Sequence, residues 1–210
     1  MSVIKLIVKS VSSFSPEGLF LNGKEFFINN EKDPFNIFAK AVYYHMAPSY
    51  PKFFKMDELC KLAFLSTELL VKDHKLGGNA EGTDTALIIA NRDSSVTSDI
   101  KHLTAIQDKE TFFPSPAVFV YTLPNIMLGE VCIRHQITGE NTCFLMDAFD
   151  AEFIHQYVVQ LFENEDYNKC ITGWINFSNE NDYYSKLFLI EKNLEEDDHS
   201  KEFTLDFFKI

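Results

Sequence analysis

The chain has 210 residues, 46% of them apolar and 24% charged, which suits one domain with a real core and excludes intrinsic disorder. Nineteen basic against 31 acidic side chains give a net charge of −12, which argues against nucleic acid or anionic lipid as partner. The apolar N-terminal run is broken by Lys5 and Lys9, no stretch approaches the ~20 apolar residues of a membrane span, and the four cysteines form no CxxC pair. A cytoplasmic protein with reduced thiols and no metal or cofactor is expected. The 21 phenylalanines point to aromatic core packing or a buried subunit interface.

In chain order, alternation from Val3 to Val11 predicts a half-buried strand, Ser15-Pro16-Glu17-Gly18 a turn, and Phe26 to Asn30 a short strand or loop. Asp33-Pro34 predicts a cap and first-turn proline for a helix over Phe35 to His45, followed by a packed loop from Pro48 to Lys55. Asp57 opens a helix whose stripe runs through Leu59, Leu62, Ala63, Ser66, Leu69 and Leu70. Lys72 to Lys75 are placed in its last turn before Gly77-Gly78. Thr85 to Ala90 is a continuous apolar run suited to a strand covered on both faces. A polar loop over Asn91 to Ser98 then leads to a helix over Asp99 to Gln107.

Ser115-Pro116 caps an apolar helix reaching Ile137, which Pro124 should kink or split and in which Gly129 permits a close contact. Thr142 to Met146 reads as a buried strand, Asp150 to Phe162 as a helix, and Cys170 to Phe177 and Lys186 to Ile190 as strands. Glu195 to Asp198 reads as a solvated loop. The alternation gives an α/β single domain over residues 1–210, with a mixed, mostly buried sheet flanked by helices.

Leu123-Pro124-Asn125, Gly129-Glu130-Val131-Cys132-Ile133, Gly139-Glu140-Asn141-Thr142 and Cys170-Ile171-Thr172-Gly173 occur in the order and at separations compatible with one known family. On these residues the chain resembles the N-terminal half of the β-ketoacyl synthases, in the thiolase-like superfamily. Weaker matches lie at Val3 to Ser15, Lys55-Met56-Asp57 and Thr85 to Ala90. The nearest flavour is the short ketosynthase-like proteins of aryl-polyene and flexirubin-type pathways. The resemblance implies a nucleophilic cysteine at the start of a buried helix, but its position falls at about Ala148, beside Asp147, and the preceding turn proline is Glu140. Alanine cannot attack a thioester.

Cys143 is the alternative nucleophile; its bland role is a small apolar residue in a strand. His135 and His155 are acid-base candidates without an evident partner, and Asp147 and Asp150 suit a helix start. By resemblance, the strand Asn141, Thr142, Cys143, Phe144, Leu145 and Met146 forms a dimer interface at a sheet edge. Lys52, Lys55 and Lys61 are candidates for docking an acyl carrier protein.

Three functions follow from the resemblance. The first is a non-catalytic, chain-length-factor-like subunit of an active full-length ketosynthase in fatty-acid or polyketide-type biosynthesis. The second is a homodimeric module binding an acyl chain or acyl carrier protein. The third is a degenerate acyltransferase of the 3-oxoacyl-ACP synthase type using Cys143.

Overall fold

The structure is a computed structural model that describes residues 5–74, 76, 84–107, 114–164, 167–192, 201–206 and 208. Eight strands form one mixed sheet. Strands β1 (Leu6–Ser15), β2 (Gly18–Leu21) and β3 (Lys24–Ile28) make an antiparallel meander. The Asn22-Gly23 pair that joins β2 to β3 has positive φ at both residues (52° and 75°), as a tight hairpin turn of the right twist requires.

The remaining strands are β4 (Thr85–Asn91), β5 (Asn141–Leu145), β6 (Lys169–Asn179), β7 (Asp182–Lys192) and β8 (Lys201–Glu202). The order across the sheet is β3-β2-β1-β7-β6-β4-β5, with β8 added to the free stretch of β1. Strand β4 lies parallel to both β5 and β6, and all seven of its residues are buried, as its unbroken apolar run predicts. Among the described residues, strand β5 is an edge.

Helices α1 (Phe35–Met46), α2 (Glu58–Leu70) and α5 (Ile126–His135) supply the core on one face of the sheet. Small hydroxyls let α2 lie close: Ser10 Oγ donates to the Leu70 carbonyl at 2.7 Å, Ser12 Oγ to the Ser66 carbonyl at 2.9 Å, and Ser66 Oγ meets Ser185 Oγ at 2.5 Å. Phe14, Phe35, Phe38, Phe177 and Tyr183 pack ring against ring beneath α1, so the phenylalanine excess does serve the core. The other face is covered by α6 (Ala151–Asn164) together with Phe203 and Phe208. Helices α3 (Val96–Gln107) and α4 (Pro116–Val120) are mostly exposed.

Several expectations need correction. Pro34, not Asp33, is the N-cap of α1 and offers no side-chain cap. Helix α2 ends at Leu70, so Lys72 follows the helix and does not sit in its last turn; Lys75 and Gly77-Gly78 lie outside the described residues. Helix α3 begins at Val96, inside the expected loop. The apolar helix is split as Pro124 requires, but a Cβ on Gly129 would meet nothing within 4 Å, so no close contact explains that glycine. Strand β5 is not buried: Asn141 and Leu145 are exposed because a sheet edge covers only one side of its backbone. Glu195 to Asp198 lie outside the described residues.

Candidate functional site

Parallel strands point their carboxyl ends the same way, and the turns leaving them are where α/β sheets build sites. The turn after β4 is locked. Asn91 is fully buried and donates from Nδ2 to the Ile175 carbonyl at 2.6 Å. Asp93 accepts from Arg92 Nε at 2.8 Å, from Ser178 Oγ at 2.5 Å and from Asn176 Nδ2 at 2.8 Å. The Arg92 guanidinium and these hydrogen bonds hold the Asp93 carboxyl well below the usual carboxylate range, against the opposing effect of partial burial. Every strong acceptor there is already engaged, so the turn is a structural knot.

The turn after β5 runs from Met146 to Asp150 and feeds α6. Asp150 Oδ1 accepts the Phe153 amide at 2.9 Å and caps the helix. Asp147 and Ala148 are exposed at its tip. This strand-turn-helix unit is the place where a nucleophile would gain from the positive end of a helix, and its tip carries only a methyl group at Ala148. Phe149 points the other way, its ring 6.0 Å from Trp174 and 5.4 Å from Phe208. Helix α6 is amphipathic, burying Ile154, Val158, Leu161 and Phe162 while Glu152, Phe153, Gln156 and Gln160 are exposed. The buried helix implied by the resemblance is therefore half-exposed here.

The thiols are quiet. Burial pushes Cys143 and Cys132 up to about 11 and also raises Cys60 and Cys170 well above the ordinary thiol range, with Asp57 adding to the effect at Cys60 and Glu140 at Cys170. Cys143 lies in mid-strand on β5, with its side chain against the α2 and α5 core and no hydrogen bond among the described residues. His135 sits 3.2 Å from Glu68, and burial holds its pKa below the ordinary value although Glu68 opposes the shift. His155 stacks on Phe203 at 4.7 Å. Neither histidine meets a thiol.

The three lysines are dispersed in role. Lys52 pairs with buried Glu130 at 2.7 Å, Lys61 donates to Asn36 Oδ1 at 2.9 Å, and Lys55 is exposed beside Asp57 and Glu58. Glu58, buried at the start of α2, takes both its oxygens to Lys101 Nζ at 2.8 and 2.7 Å. Burial alone would raise the Glu58 carboxyl, but the Lys101 and Asn36 bonds overcome it and the net shift is downward. Lys55, Asp57, Glu58 and Lys101 line an open cavity of about 190 Å³ with Ser98 and Tyr121, two cations against two carboxylates. Among the described residues no cluster of His, Cys, Asp and Glu could hold a metal, and no helix is long and apolar enough to cross a membrane. Nothing in the sequence pattern flagged the Glu58–Lys101 and Lys52–Glu130 pairs, whose partners lie on different helices.

The six residues of the expected interface are brought together at one place. Met146 N donates to the Asn91 carbonyl and the Glu140 carbonyl accepts from Leu87 N, so even-numbered residues of β5 face β4. The amides and carbonyls of Asn141, Cys143 and Leu145 consequently face the open edge. Around that edge, Leu145 is 54% exposed, Ile133 on α5 is 65% exposed and Phe153 on α6 is 42% exposed, its ring 5.0 Å from Phe144.

No family model and no curated relative matches the sequence. Solved structures do. The ishigamide ketosynthase/chain length factor superposes with a TM-score of 0.63 at 16% identity, over 91% of this chain and 63% of that one. A ketosynthase in complex with its chain length factor from Xenorhabdus doucetiae gives 0.57 at 12% identity, over 90% and 80% of the two chains. A type II PKS acyl-carrier protein in complex with its ketosynthase bound to the hexaketide gives 0.59 at 11% identity, over 90% and 63%. The chain thus spans less than two thirds of the first of these structures. At such identities what is shared is architecture, and the architecture of this chain is the mixed α/β, thiolase-like fold of the ketosynthases and chain length factors.

Proposed function

We propose that the protein is a non-catalytic, chain-length-factor-like subunit that pairs through its β5 edge with an active ketosynthase in fatty-acid or polyketide-type biosynthesis. The observation that carries this is the β5–α6 turn: the nucleophile position implied by the resemblance holds exposed Ala148, while the strand leading to it has three residues whose amides and carbonyls find no partner among the described residues. A site that has lost its thiol but kept an apolar, unpaired edge retains the means to assemble and not the means to react. The neighbouring structures that contain a chain length factor with its ketosynthase support the choice of partner. A cytoplasmic location and a place in aryl-polyene assembly belong to the same proposal and rest on the sequence resemblance.

Co-expression of the tagged chain with a full-length ketosynthase of its own genome tests the assignment. An equimolar complex by native mass is expected. Recovery of the chain alone or as a self-dimer, with the ketosynthase unbound, overturns it in favour of the acyl-binding homodimer. Docking of an acyl carrier protein at Lys52, Lys55 and Lys61 has thinner support, because Lys52 and Lys61 are already bonded within the chain.

A further inference from the structure

Helix α3 is built inside out. Val96, Ile100 and Leu103 recur at i, i+4 and i+7, the spacing of one apolar stripe, yet all three are exposed, Ile100 at 59%. The residue that α3 buries is Ser98, whose Oγ donates to Asp57 Oδ2 at 2.7 Å, and Lys101 one turn on reaches Glu58. The helix is fastened by its polar side and turns its apolar side outward.

Helix α4 repeats the arrangement. It leaves all five of its residues at least partly exposed, Phe119 at 56%, and Val120 and Leu123 are exposed after it. The His102 ring, 5.4 Å from Phe119, joins the two surfaces. At about half exposure each, the side chains of Val96, Ile100, Leu103, Phe119, Val120 and Leu123 offer roughly 500 Å² of apolar surface, the size of patch that marks an interaction site.

This patch begins at the carboxyl end of β5. Leu145 stands opposite Asn91, the last residue of β4, and Met146 N donates to the Asn91 carbonyl at 3.0 Å. Asn91 Oδ1 accepts from Ser94 N, and Ser95 Oγ donates to the Thr122 carbonyl at 2.6 Å. These bonds hold Val96 and Leu123 beside the end of the edge strand.

We infer that the outward face of α3 and α4 is the second part of the ketosynthase interface, continuing from the β5 edge over Val96 and Leu123 to Ile100 and Phe119. Area argues for this occupant. A five-residue edge with Leu145, Ile133 and Phe153 falls short of the roughly 800 Å² that each partner of a stable interface buries, and the α3–α4 side chains supply the difference. The matching surface of the partner is apolar, because a charge buried against these side chains would go unpaired. The identity of the partner rests on the pairing proposed above; the face itself rests on α3 and α4.

Phe119→Asp and Ile100→Asp test the face by biolayer interferometry against the full-length ketosynthase of the same genome. Both side chains are exposed, so the fold should survive either change, and circular dichroism checks it; if one variant unfolds, the other decides. Each should raise the dissociation constant roughly 30-fold or more. Tyr44→Asp, equally exposed but on α1, should leave it within about two-fold. Parent-like binding by the folded α3 and α4 variants overturns this face and leaves β5 pairing standing. A parent that does not bind overturns the pairing and, with it, this extension. Native mass that shows a self-dimer broken by the same substitutions, with ketosynthase binding unchanged, gives the face to a second copy and also overturns the inference.

Discussion

Replacing Leu145 by proline tests the edge-pairing mechanism at one atom. The Leu145 amide points away from β4, as the parity of the β5 hydrogen bonds requires, so the fold does not use it. The side chain is 54% exposed, and proline is tolerated on edge strands whose N–H faces outward. Stability of the isolated chain should therefore change by less than about 1 kcal/mol. In a complex built through this edge, the variant loses one interstrand hydrogen bond, about 1 kcal/mol net, and leaves the partner's carbonyl unsatisfied, a further ~1–3 kcal/mol. The sum of about 2–4 kcal/mol corresponds to a dissociation constant raised roughly 30- to 1000-fold. Urea denaturation of the isolated chain and biolayer interferometry against the ketosynthase measure the two quantities separately. An unchanged dissociation constant with an intact fold would show that β5 is not the pairing edge.

Four further outcomes are expected. Gly173→Ala should cost about 3 kcal/mol or more in urea denaturation, since φ is +139° and a Cβ would lie 2.1 Å from the Lys186 carbonyl oxygen; a loss under about 1 kcal/mol contradicts this. Gly129→Ala should add about 0.5–1 kcal/mol, because the helix gains a better former and the new methyl meets no atom within 4 Å; any destabilisation is the contrary result. Glu58 and Asp93 have carboxyls held below their unfolded values, so their stabilisation is complete above about pH 4.5 and is lost as pH falls through the lower folded values; a urea midpoint at pH 3 equal to that at pH 7 refutes it. With Cys143 raised to about 11, iodoacetamide at pH 8 should alkylate it roughly two orders of magnitude more slowly than a free thiol, and labelling at the free-thiol rate would revive it as a nucleophile.

Local signals settled much of this protein before any contact was known. The apolar run Thr85 to Ala90 has no polar face to offer water, so only a central parallel position suits it, and β4 occupies one. Pro124 lacks an amide and splits the helix wherever the rest of the chain lies. Asp57 and Asp150 cap α2 and α6 through hydrogen bonds to residues three positions on, a distance the sequence states outright. The absence of cysteine at about Ala148 is equally a property of the sequence.

Tertiary structure decided the rest, because it depends on partners far apart in the chain. Helix α2 stops at Leu70, before its glycines, where the Leu70 carbonyl is taken by Ser10 from a strand 60 residues away. Lys52, a docking candidate in the sequence, is drawn to Glu130, and Glu58 can stay charged while buried because Lys101 from α3 and Asn36 from α1 both bond it. The exposure of Asn141 and Leu145 follows from β5 having, among the described residues, a neighbour on one side alone, which no periodicity encodes. The filling of the α6 face by Phe203 and Phe208 was invisible for the same reason. A phenylalanine's burial is legible from its chemistry, but which neighbours it packs against is set by the three-dimensional meeting of Phe203 and Phe208 with a helix and a sheet far from them in sequence.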